Sequence, residues 1–164
     1  MRAKYTVKHR RKREGRTNYK KRLGLLKSKQ TRLVIRKSNT KIIFQFIEYS
    51  PDGDKVLFTY NSSALKDQGW NHSYKSLPAA YLSGLVVGQK ALDKKIKTAI
   101  LDIGLQSPKK GGRIYSALKG VIDAGVKIPS DESIFPDEER LSGKHIQDES
   151  VNKDFEKLKQ KIMK

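Results

Sequence analysis

Polar and apolar residues alternate through RLVIRKSN (32–39), with Leu33 and Ile35 on one side and Arg32, Val34 and Arg36 on the other. A period of two, rich in β-branched residues, predicts a strand. Asn39-Thr40 can turn the chain into KIIFQFIEYS (41–50), whose apolar residues occupy both faces, as in the middle of a covered sheet. In PDGD (51–54) the proline presets φ and the glycine accepts a positive φ, so a turn leads into KVLFTYNSS (55–63) as a third strand. Three antiparallel strands in succession are the simplest arrangement.

From residue 73 the period lengthens to that of a helix. Ser76 can cap it with Pro78 in the first turn, and Leu82, Leu85, Val86, Gln89 and Leu92 fall along one stripe. Gly84 and Gly88, four apart, allow close approach to a neighbour. In a membrane that spacing would suggest dimerisation, whereas in so short a soluble segment helix-to-sheet packing is expected. KTAILDIGLQS (97–107) reads as a buried strand, PKKGG (108–112) as a loop, and RIYSALKGVIDAG (113–125) as a second helix closed by Gly125. The order β-β-β-α-β-α predicts an α/β fold, a single small domain whose mixed sheet is packed by helices. Residues 128–150 combine proline, acids and scattered anchors such as Ile134 and Phe135, so they read as irregular chain. Val151, Phe155, Leu158 and Ile162 then repeat at helical spacing, with lysines late in the run, predicting a short amphipathic C-terminal helix. The expected divisions are a basic extended N-terminal arm (1–30), an α/β core (31–128), and an acidic irregular segment with the C-terminal helix (129–164).

Charge changes this picture. The chain has 164 residues, enough for one domain with an appended arm, and a formal net charge of +19. Residues 1–41 hold 17 basic residues against 1 acid, residues 42–128 hold 12 against 7, and residues 129–164 hold 7 against 9. The fold is nearly neutral and the arm carries the excess, which attracts polyanions. Cysteine is absent, which excludes disulfides and thiolate metal sites and permits an intracellular address. Residues 2–22 contain no apolar run of the kind a secretory signal needs, so export by that route is not expected. The longest weakly polar stretch, SLPAAYLSGLVVGQKAL, is too short and too interrupted to span a bilayer.

The densest segment is KHRRKREGRTNYKKR (8–22). It has Lys8, Arg10, Arg11, Lys12, Arg13, Arg16, Lys20, Lys21 and Arg22 against the single acid Glu14. Its cations occupy every register, and no large aliphatic side chain arrives until Leu23, Leu25 and Leu26, so a membrane has no face to bury. Phosphate is the better partner, because each neutralised phosphate releases condensed counterions. Tyr5, His9 and Tyr19 add flat groups on which unpaired bases can stack, and Gly15 supplies a hinge. The plainer alternatives are a nuclear-type address or a solvated charge run. Arg32 and Arg36 can continue the arm's track along the first strand, or they can simply guard a solvated sheet edge. In PKKGGR, Lys109, Lys110 and Arg113 flank a helix start, where free N–H groups suit a phosphate. The stretch lacks the GK[ST] ending of a nucleotide P-loop, and an ordinary connection explains it equally well.

Catalytic chemistry finds little material. His9, His72 and His145 lie in unrelated regions, and no HExxH spacing occurs. Among the carboxylates Glu48, Asp52, Asp54, Asp67 and Asp102, two belong to a turn. Asp102, inside the apolar AILDIG, needs a partner, and a structural hydrogen bond or an Arg/Lys partner is expected there rather than a metal. A two-metal nuclease would need several converging acids, which are not displayed. No cofactor, metal or small-molecule substrate is expected. The rival classes are an RNA-processing enzyme using the arm for capture and a DNA-architectural factor.

Five stretches in order carry a resemblance: RRKREGRTNYKKRL; RLVIRKSN with its following aliphatic strand; LPAAYLSGLVVGQKAL; AILDIGLQSPKKGGRIYSALKGVIDAG; and IPSDESIFPDEERLSGKHI. Over about residues 1–147 the chain resembles the large-subunit ribosomal protein eighteen family, in its archaeal and eukaryotic-type form. That resemblance implies a protein without enzymatic activity, ribosome-bound in the cytoplasm. It would bind 5S ribosomal RNA and dock it against the large-subunit rRNA, beside the neighbouring proteins of the central protuberance. It also implies RNA contacts on the arm and the adjoining strand surface, here Lys8, Arg10 to Arg13, Arg16, Arg22, Arg32 and Arg36. The segment after Ile146 follows no transferable pattern.

Overall fold

The computed structural model describes residues 6–107, 109–146 and 148–163. In chain order the elements are α1 (Arg10–Arg13), α2 (Tyr19–Leu26), β1 (Arg32–Lys37), β2 (Ile42–Glu48), β3 (Lys55–Asn61), α3 (Leu77–Asp93), β4 (Ile100–Asp102), α4 (Arg113–Asp123), α5 (Glu138–Ser142) and α6 (Glu149–Met163). Short 3-10 turns at Ser62–Gln68 and Glu132–Ile134 complete them. This is the α/β order expected, with two additions in the arm and one in the acidic segment.

The sheet runs β3-β2-β1-β4. β1 pairs antiparallel with β2 and parallel with β4, and β2 pairs antiparallel with β3, so the sheet is mixed. Alternation sets its two faces: Leu33, Ile35, Ile42, Phe44 and Phe46 are fully buried on the helix side. β4 is shorter than the 97–107 expected, because its flanks find other partners. The Ala99 N–H donates to the Lys127 carbonyl, and the Lys127 N–H donates to Lys97. Beyond Asp102 the chain turns at Gly104, φ 62°.

α3 starts as its sequence implies, with the Ser76 hydroxyl accepting from the Ala79 N–H at 3.3 Å. Its glycines do something else. Packing against the sheet was the expectation, yet Gly84 and Gly88 meet α4. A Cβ at Gly84 would fall 2.3 Å from the Ala117 carbonyl oxygen, and one at Gly120 would fall 2.2 Å from that of Tyr81. The two helices therefore touch backbone to backbone, a distance only glycine permits.

The final helix packs as predicted, with Val151, Phe155, Leu158 and Ile162 buried in the same apolar cluster as the sheet. Phe155 lies 5.7 Å from the Tyr81 ring, and the Gln89 amide donates to the Ile162 carbonyl. His72 Nε2 sits 3.0 Å from Asp154 Oδ2, fixing α6 to the loop before α3.

The arm is not extended over its described length, which corrects the sequence expectation. Asn18 caps α2 by accepting from the Lys21 N–H at 3.1 Å, and Lys, Arg and Leu are good helix formers once a cap is present. Glu14 lies between Arg10 (3.6 Å) and Arg16 (3.2 Å), relieving the local repulsion that argued for an open chain.

Candidate nucleic-acid interface

The face of the sheet opposite α3 and α4 carries a chain of alternating charges. Arg22, on α2, places Nη2 2.9 and 2.8 Å from the two oxygens of Asp54, in the β2–β3 turn. Arg32 Nη2 is 2.7 Å from the same carboxylate, and its Nη1 is 3.1 Å from Asp102 Oδ2. Arg36 Nη2 then reaches Asp102 Oδ1 at 3.0 Å, and the Gly104 N–H donates to that oxygen at 2.8 Å. The partner that Asp102 needed is thus a pair of arginines.

Arg32 is only 2% exposed. Strand alternation points it away from the helices, but α2 and the β2–β3 turn close over it. It therefore does not continue the arm's track as an open cation, nor guard a solvated edge, and Arg36 is left half-buried beside it. Burial raises the tendency of Asp54 to hold a proton, but the guanidinium groups of Arg32 and Arg22 outweigh it and keep the carboxyl below its ordinary 3.8. A depressed carboxylate contributes stability that is present above its unfolded pKa and lost as pH falls through the folded value. Melting curves should accordingly show wild type more stable than Asp54→Asn at pH 7, with the gap closing once the pH drops below 3.8. A gap unchanged across that range would show that the Asp54 charge does not hold α2.

α2 and the 101–106 segment enclose a cleft of about 750 Å³. Leu25, Leu101, Ile103 and Leu105 line it with hydrocarbon; Arg11, Arg16 and Lys21 stand around it, with Arg22 and Arg36 behind. Arg11 is held by its Nε, which donates to Thr17 Oγ1 at 2.8 Å. Among the described residues no carboxylate pairs with Arg11 or Lys21, and the one acid in the lining, Asp102, is already taken by arginines. The wall is firm: the Gln106 side chain accepts from the Lys37 N–H (3.3 Å) and donates to the Lys37 carbonyl (3.0 Å), prolonging the sheet. A Cβ at Gly104 would lie 2.9 Å from Arg36 Nη2, so glycine leaves the space that this arginine fills.

Of the other expected contacts, Lys8, Arg10, Lys12, Arg13 and Lys20 are exposed on the arm. His9 and Tyr19 have ring centroids 5.4 Å apart on its surface. Tyr5 lies outside the described residues. Lys109, Lys110 and Arg113 are not brought to this cleft. The two lysines are exposed, and Arg113 lies in a separate groove with Lys75 and Arg140 at the start of α3. Sequence reasoning missed the cleft's apolar lining and the part played by Asp54. Leu105, expected inside a buried strand, is instead exposed in a turn. Among the described residues no group of three or more His, Asp or Glu could hold a metal, and no helix is long and apolar enough to cross a membrane.

Comparison with known proteins identifies the family. A family described as ribosomal large subunit proteins 60S L5 and 50S L18 matches residues 3–97 and 93–131. The large ribosomal subunit protein uL18 of Korarchaeum cryptofilum is 48% identical over 143 residues, covering 87% of this chain and 73% of that protein. The protein of the same name from Methanothrix thermoacetophila is 45% identical over 163 residues, covering 98% and 96%.

Proposed function

The chain belongs to the family of ribosomal large subunit proteins 60S L5 and 50S L18, and on that footing we propose that it binds 5S ribosomal RNA and anchors it to the large-subunit rRNA in the central protuberance. As a member of that family it is a structural protein of the large ribosomal subunit and not an enzyme. The observation that carries the finer reading is the arm itself, tied to the β2–β3 turn by Arg22 so that Arg11 and Lys21, which no carboxylate pairs among the described residues, line one cleft while Lys8, Lys12, Arg13 and Lys20 stay exposed beside it. Two RNAs brought together repel one another, and a cationic wedge between them screens that repulsion while the α/β domain fixes the angle. Lys8, Arg10 to Arg13, Arg16, Lys20 and Lys21 are the proposed phosphate contacts, with His9 and Tyr19 against bases. The exposed Lys109 and Lys110, and Arg113 in its groove with Lys75 and Arg140, are the proposed contacts to a neighbouring RNA segment. The place of action in this reading is the ribosome in the cytoplasm, with the other central-protuberance proteins as neighbours.

Crosslinking in intact cells, followed by sequencing of the attached RNA, tests the partner. Recovery of 5S rRNA together with large-subunit rRNA is expected, and recovery of large-subunit rRNA alone would remove the 5S assignment. A salt titration tests the mode. The log–log slope should be about −0.7 to −0.9 per phosphate contacted, and Arg11→Gln with Lys21→Gln should flatten it by roughly two such contacts.

A further inference from the structure

The cleft between α2 and the 101–106 segment is unlike a surface that only counts phosphates. A duplex backbone needs exposed cations and no hydrocarbon, whereas here Leu25, Leu101, Ile103 and Leu105 form a lining beneath them. Leu105 is about half exposed, and what sets it apart from a lone surface leucine is that it shares the cleft with three other aliphatic side chains. The volume, about 750 Å³, is in the range of pockets that take small organic groups rather than helices.

We propose that this cleft receives a single unpaired nucleotide of the bound RNA, its base against the leucines and its flanking phosphates on Arg11, Arg16 and Lys21. Charge complementarity points to an anion at the rim, the aliphatic lining to a flat apolar face inside. Guanidinium planes at the mouth can cover the second face of the base, as they do where single-stranded RNA is read. The cleft is also preformed. Arg22 and Asp54 clamp α2 to the sheet on one side, and the Gln106–Lys37 pair fixes the opposite wall. A nucleotide swung out of a bulge or loop then pays little further ordering cost in the protein.

The inference rests on the RNA-binding reading above, so its test must separate the two. The probe is an RNA hairpin carrying one unpaired 2-aminopurine, compared with the same hairpin fully paired, each titrated with the full chain. Wild type should prefer the bulged hairpin by about tenfold, the equivalent of one buried base contact, with a change in the fluorescence of the unpaired base. Gly24 faces the cleft from α2, and a Cβ there meets nothing within 4 Å. Gly24→Leu should therefore intrude on the place proposed for the base without disturbing the fold and abolish the preference, while affinity for the paired hairpin stays within about twofold. Leu105→Ser should weaken the preference from the opposite wall. If wild type bound both hairpins equally well, or if Gly24→Leu kept the preference, the cleft would not be a nucleotide site, although RNA binding would stand. If it bound neither hairpin, both readings would fall together.

Discussion

Deleting residues 2–22 should lower RNA affinity by at least about a hundredfold at physiological salt while leaving a folded domain. The deleted stretch contains eleven basic residues and one acid. Even if only half of the cations touch phosphate, the lost counterion release amounts to several log units between low and moderate salt. The fold should survive, because no described residue from 6 to 22 is buried and the fully buried apolar residues begin at Leu33. One cost is specific: Asp54 would keep Arg32 but lose Arg22, so a modest fall in melting temperature should accompany the truncation. Circular dichroism and a binding titration against 5S rRNA read both effects. A truncated chain that bound at wild-type strength would move the interface off the arm altogether.

How much of this could be seen in the residues depends on how far apart the partners lie. The strands were legible because a period of two is local, and so were the start of α3, where Ser76 and Pro78 stand side by side, and the apolar stripe of α6. Asp102 was legible in kind, since a carboxylate inside AILDIG has to be paired, although not in the identity of its partners. The two arm helices were masked by their own charge: repulsion among cations argued for an open chain, whereas Glu14 and the Asn18 cap offset enough of it locally. Gly84 and Gly88 announced a close approach without naming the surface approached, and α4 begins 25 residues after Gly88.

Arg32 shows the same limit from the other side. Alternation on β1 assigned it correctly to the face away from the helices, but whether that face is open depends on Arg22 and Asp54, ten and twenty-two positions along the chain. The nucleotide-sized cleft is similarly assembled from two remote segments, α2 and residues 101–106, neither of which has a motif. What the sequence does carry is the sign of the partner's charge, which makes phosphate the expected partner of the arm.

The burial of Arg32 makes it a structural residue with a large expected effect. Arg32→Ala should destabilise the protein by about 3–5 kcal/mol, because removing one member of a buried charge cluster leaves the others uncompensated. The lower end of that range is expected, since Asp54 keeps Arg22 and Asp102 keeps Arg36. For a chain of this length the change corresponds to a fall in melting temperature of roughly 6–12 °C. Arg36→Ala should cost less, its guanidinium being partly in water, and Asp102→Asn should fall between them, because the amide still accepts one hydrogen bond but no longer offsets two cations. RNA binding supplies the discriminating readout. Well below the melt, Arg32→Ala should bind 5S rRNA within about threefold of wild type, whereas Arg11→Gln with Lys21→Gln, which leave the core untouched, should weaken it by an order of magnitude or more. The reverse outcome, a folded Arg32→Ala that melts like wild type yet loses RNA, would mean that α2 swings away to let this guanidinium meet phosphate. The ion-pair chain would then be a closed state of the arm, opened by RNA.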